Sequence, residues 1–138
     1  MGRVINPEGV GKERNQLMRA LAISLRELMQ QAAPGAKTRD LAAFIVLLLE
    51  NIAATIDRTV EPWEKRGYWV KADRFRLDWD WAERAAKQMR AAVLAEEYGE
   101  IALVAVSIGE KLGSVKLPQK HRLGTPWEGA WEKLLEGK

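Results

Sequence analysis

Apolar residues recur three and four apart along most of the chain, and nowhere do they alternate with the period of two of a half-buried strand. Leu17, Leu21, Leu25, Leu28 and Ala32 make a first stripe, with Arg14, Arg19 and Arg26 placed outside it. Pro34 and Gly35 end that helix. A second starts near Thr38, a residue type that caps helix N-termini, with Asp40 in the first turn where the helix dipole favours negative charge. Its stripe is Leu41, Ile45, Leu48, Ile52 and Ile56. Phe44, Leu47 and Leu49 widen it well beyond one face, so this helix has neighbours on several sides and reads as the central one. Pro62 predicts a kink and Gly67 the stop, with Gly67 as the left-handed C′ residue and Tyr68 folded back at C″.

Asp73 reads as the cap of a third helix, whose main face carries Phe75, Trp79, Ala82, Ala86, Met89 and Val93. Beyond Gly99 the stripe resumes at Ile101, Val104, Ile108 and Leu112, rotated by roughly 70° from the first, which favours a break at Gly99 over one rod. After Gly113 the period is lost until residues 125–128, TPWE. Thr125 is of N-cap type, Pro126 suits the first helical position and Glu128 closes a capping box. Trp127, Ala130, Trp131, Leu134 and Leu135 then give a short amphipathic helix that Gly137 ends. The expected organisation is a flexible arm over 1–11, a bundle domain over 12–113, a basic linker over 114–124 and a C-terminal helix over 125–138. The fold class is all-α: an antiparallel bundle of about four long helices, plus the short C-terminal helix on its linker.

The stretch YWVKADRFRLDWDWAER, residues 68–84, raises the question of what its rings are for. On a helix Phe75 and Trp79 share the core face. Two residues turn an α-helix by about 200°, so Trp81 is expected away from Trp79, on a second apolar stripe with Leu77 and Ala85. Two stripes imply two partners. The charges between the rings are of both signs, and Arg74/Asp78, Arg76/Asp80, Asp80/Arg84 and Glu83/Lys87 are spaced for helix-supporting pairs, two of them in the weaker basic-first order. Mixed charge describes a solvated helix better than a phosphate-reading surface.

Composition narrows the class. A length of 138 residues suits one domain, and 47% hydrophobic with 30% charged residues is the profile of a soluble globular chain. The absence of cysteine removes disulfides, thiolate metal sites and thiol catalysis, and fits a reducing cytoplasm. No apolar run approaches the roughly 20 residues of a membrane span, and the start of the chain lacks the pattern of a signal peptide. A net charge of +3 decides little unless it is gathered on one face.

Candidate chemistry is sparse. GVGK at 9–12 suggests a phosphate loop but has Asn6 and Glu13 where the motif needs Gly and Ser or Thr. The one histidine, His121, stands in the linker with no visible partner, so paired Glu-x-x-His di-iron motifs are absent. Glu50 and Asn51 interrupt the central helix and read as its wet side rather than a buried polar pair. No catalytic, cofactor-binding or metal-ligating set emerges, and none is assigned. The reading is a non-enzymatic module that self-associates or docks a protein through Leu77, Trp81, Ala85, Trp127 and Trp131. The alternative is a nucleic-acid-binding accessory protein using Lys111, Lys116, Lys120 and Arg122 of the basic linker, helped by Arg3, Lys12 and Arg14. A small-ligand carrier or enzyme with a pocket between helices ranks last.

Overall fold

The computed structural model describes residues 7–113 and 123–137, and among them there are helices and no strands. Element order is α1 (Pro7–Met29), α2 (Ala36–Lys65), α3 (Trp69–Leu94), α4 (Tyr98–Lys111) and α5 (Ala130–Glu136). The all-α class is as expected. The wide apolar surface of α2 decides the arrangement: α1, α3 and α5 all pack on it, and α4 lies against α3 and α1. Leu41, Ile45, Leu49 and Ile52 of α2 are fully buried, with Leu21 and Leu25 of α1, Met89 and Val93 of α3, and Ile101 and Ile108 of α4 around them. Each such aliphatic side chain stabilises by about 1.5–3 kcal/mol relative to exposure.

Helix ends explain most differences from the expected boundaries. α1 begins at Pro7, so 7–11 belong to the helix and not to an arm, and Gly9 to Lys12 are helical rather than a phosphate-cradling loop. α2 begins two residues before Thr38. Thr38 is the third helical residue, and its Oγ1 reaches back to accept the Gly35 N–H at 3.2 Å. α2 runs on through Pro62, and Gly67 (φ +80°) ends it as expected. The Tyr68 N–H donates to Trp63 O at 2.8 Å and the Gly67 N–H to Glu64 O at 3.0 Å, the two bonds of a Schellman turn. That turn returns the chain to helix at once, at Trp69, which leaves Asp73 inside α3 instead of capping it.

The break between α3 and α4 is real but does not fall at Gly99, which sits in the first turn of α4. It falls at Ala95 to Glu97, in a second Schellman turn. The Glu97 N–H donates to Ala92 O and the Glu96 N–H to Val93 O, with Glu96 itself at φ +52°. At 14 residues α4 covers about 21 Å of the roughly 39 Å of α3. It runs antiparallel to α3 and stops opposite Trp81 and Arg84. The bundle therefore has four helices at one end and three at the other.

α5 closes the four-helix end, docked on α2 of its own chain. The TPWE box does not form: 126–129 are turns, and the helix starts at Ala130 after Gly129 at φ +79°. Its free amides are satisfied from a distance. Asp40 accepts the Gly129 N–H on Oδ2 (3.2 Å) and the Trp131 N–H on Oδ1 (3.0 Å). Arg39 lies over the Trp131 ring at 5.1 Å, and Trp127 is buried.

Candidate functional site

At the three-helix end, rings of α2 and α3 and one cation of α1 pack together. Trp63 meets Phe75 edge-on at 5.5 Å between centroids, Phe75 meets Trp79 at 6.4 Å, and Trp79 stacks on Trp81 at 6.0 Å. The expected separation of Trp79 from Trp81 fails because the 200° applies to where the side chains leave the backbone. Long indoles lean back toward each other. Arg14 of α1 sits over Phe75 (5.0 Å) and Trp79 (5.4 Å) and is only 8% exposed. Its Nε donates to Thr55 Oγ1 at 3.0 Å, and Nη2 donates to the Thr55 carbonyl at 3.4 Å and to Thr59 Oγ1. No carboxylate pairs with it among the described residues, and burial pushes its guanidinium below the ordinary arginine pKa. Arg14 is a packed structural cation, which corrects its expected use as a nucleic-acid contact.

Three surface features stand out on the molecule. The first is a groove of about 450 Å³ between α2 and α3, with Ala53, Ala54 and Ala86 on its walls beside Trp79. Every carboxylate lining it is paired: Glu50 bidentate to Arg90 (3.1 Å twice), Asp57 to Arg76 (2.6 Å), Asp80 to Arg84 (3.1 Å) and Glu83 to Lys87 (3.4 Å). The hydrogen bond from Arg76 to Asp57, supported by Glu64, pushes the Arg76 pKa up. Glu50 is half-buried and Asn51 exposed, as the wet-side reading expects. The groove holds no nucleophile next to a base, and no group of three or more His, Asp or Glu among the described residues is placed to hold a metal ion. No helix among them is long and apolar enough to cross a membrane.

The second feature is apolar. Leu28, Ala32, Pro34, Tyr98, Ile101 and Ala105 line a groove of about 300 Å³ where the α1–α2 turn meets the first half of α4. Met29 and Val106 line it, and Leu103 lies farther round α4 outside it, all three more than half exposed. Glu97, in the turn before α4, and Glu100, in its first turn, are exposed and without an ion pair among the described residues, but neither lines the groove.

The third is the α2–α3 corner. Tyr68, Trp69 and Val70 project there, each more than half exposed. Lys65, Arg66 and Arg74 surround them, exposed and without a carboxylate partner among the described residues, and Lys71 lies over the Trp63 ring at 4.3 Å. Further along α3, by contrast, Arg76, Arg84, Lys87 and Arg90 are all ion-paired.

Compared with protein-family models, curated proteins and solved structures, the chain matches none.

The residues expected to form one interaction surface are not brought together. Trp127 (3% exposed) and Ala85 are buried inside the chain, because α5 docks on α2 and α4 covers the Ala85 end of the second stripe of α3. Trp81 and Trp131 are half-buried against the core, and only Leu77 is open, at 70%. Of the basic linker, Lys111 is exposed at the end of α4, while Lys116, Lys120, His121 and Arg122 lie outside the described residues, as does Arg3. The sequence reading missed the apolar groove. Its signal was present in α4, where Ala102, Leu103 and Val106 add a second apolar face to the Ile101–Val104–Ile108 stripe.

Proposed function

We propose that the protein is a non-enzymatic helical module that works by self-association. The observation that supports this is the apolar groove between α1 and α4, with Met29 and Val106 in its lining more than half exposed. Exposed apolar surface gathered in this way is typical of protein-docking sites rather than of inert surface. The self-association surface is thereby moved from the Trp81 and Trp131 faces, which the chain covers in part, to α4 and the turn before α2. Sedimentation from low to high micromolar concentration tests it: the average mass is expected to rise, and a strictly monomeric species across that range would overturn it.

A second reading, nucleic-acid binding, is favoured by one observation, the unpaired Lys65, Arg66 and Arg74 beside exposed Trp69 and Tyr68. Stacking rings with free cations suit single strands. Such binding weakens steeply with salt. Absence of a gel shift with oligonucleotides at low salt would end this reading.

A further inference from the structure

The α2–α3 corner lies at the end of the bundle away from the α1–α2 turn, and brings projecting apolar residues and cations without carboxylate partners to one tip. Tyr68, Trp69 and Val70 stand out from it with Lys71 beside them, and Val70 is 68% exposed. Lys65 ends α2, Arg66 follows it, and Arg74 is one turn of α3 beyond Val70. From 65 to 74 these four basic residues meet a single acid, Asp73. Asp73, Glu61 and Asp78 are exposed and none of the three is ion-paired with them, while Glu64 is turned to Arg76. The elbow is fixed by two backbone hydrogen bonds, so the tip is presented already ordered.

We propose that this corner docks the protein on the surface of an anionic lipid bilayer. Trp69 and Val70 enter at headgroup level, and Lys65, Arg66, Lys71 and Arg74 lie among the anionic headgroups. Only side chains enter, so no membrane-spanning helix is needed. Indole and phenol rings partition to the boundary between headgroups and acyl chains, which takes their apolar bodies and leaves their polar tips wet. Cations close to an anionic leaflet each strengthen binding by roughly fivefold, and long basic side chains reach headgroups while their stems lie in the apolar layer. A single-stranded nucleic acid fits the same corner less well. It needs a track of cations along the strand, whereas Arg76, Arg84, Lys87 and Arg90 further along α3 are all paired with carboxylates. Val70, at the tip, offers a base nothing to stack on. A bilayer presents its charge as a plane, which a compact tip can meet. Docking there leaves the apolar groove free, since the groove lies at the other end of α2, about 45 Å away.

The test is co-sedimentation of the full chain with vesicles of phosphatidylcholine and phosphatidylserine in equal parts, and with phosphatidylcholine alone. Binding is expected on the mixed vesicles and should fall as salt rises. Mixed vesicles with brominated acyl chains are expected to quench tryptophan fluorescence, and Trp69→Phe to keep binding while losing most of the quenching. Lys65→Gln with Arg66→Gln should weaken binding by roughly twentyfold. Trp69→Ser with Val70→Ser should weaken it by at least about tenfold. All four positions are exposed, so the fold is expected to survive both changes. Arg84→Gln with Lys87→Gln removes the same charge from the ion-paired stretch of α3 and should change binding by less than about threefold. No binding, equal binding to both kinds of vesicle, binding without quenching, or equal loss from the two charge-removing variants would each overturn the proposal. A single-stranded oligonucleotide that binds this corner while the mixed vesicles do not would replace it with the nucleic-acid reading.

Discussion

The far end of the bundle is closed by α4 and α5 over Leu41, Ile45 and Leu49, and the side chains sealed from water there are aliphatic or small apart from Trp127 under α5, Thr38 and Ser24. The corner end lacks α4. There, Trp63, Phe75, Trp79 and Trp81 remain half-buried, and the charged group packed between α1 and α3 is the Arg14 guanidinium. Aliphatic packing needs neighbours on all sides to exclude water. Flat rings and a planar cation can close an incomplete layer, because their faces stack while their edges stay wet. A protein with a short fourth helix thus keeps one end tightly packed and gives the other an aromatic seam that reaches the surface at Tyr68 and Trp69.

Substitutions at the two ends should separate these chemistries. The largest effect is expected at Leu49→Ala, which empties a fully buried aliphatic position and should cost about 3–4 kcal/mol in urea unfolding. A cost below about 1 kcal/mol would mean that the far end is not the tighter one. Arg14→Ala is expected to lose about 2 kcal/mol through lost ring and hydroxyl contacts. Arg14→Met should lose less than half as much, since a long stem still fills the space between rings. If Met is no better than Ala, the charge itself carries the corner. Asp40→Ala is expected to cost about 1 kcal/mol, the value of a helix cap, and to speed amide exchange over residues 129–136 while leaving α1 to α3 protected. Glu96→Gly should have the smallest effect and the opposite sign. It relieves a left-handed non-glycine residue and gives up an exposed pair with Arg39, for a net gain of about 0.5–1 kcal/mol, read as a raised melting temperature.

Some of this was written plainly in the chain. Gly67 and Tyr68 announced their turn because a glycine at C′ encodes a backbone angle directly. The same turn at Glu96 was invisible, since a residue that tolerates φ +52° only under constraint carries no local mark, and Gly99 drew attention three positions too late. Of the four spaced charge pairs on α3, the two acid-first ones form (Asp80/Arg84 and Glu83/Lys87), while Arg76 turns across to α2 instead. Arg14 is seven residues before Leu21 and fourteen before Leu28, in phase with the buried face, which corrects its placement outside the α1 stripe. Its charge argued the other way, and the rings that accept it are sixty residues distant in sequence. The capping of α5 was hidden for the same reason: local residues proposed Thr125, and the fold supplies Asp40, ninety-one positions away from Trp131. The candidate surfaces were the least readable part, because which apolar face stays open depends on where α4 ends and where α5 lands.

The elbow at Arg66, Gly67 and Tyr68 has a further consequence for how the chain tolerates change in length. Two backbone hydrogen bonds span it and no slack residue separates α2 from α3. One inserted residue inside the first turn of α3 would turn everything beyond it by about 100°, swinging Phe75 and Trp79 off Arg14 and Met89 out of the core. Variation in length should therefore be absent at this elbow and gather instead between α1 and α2, where six residues, 30–35, connect the helices with room to give.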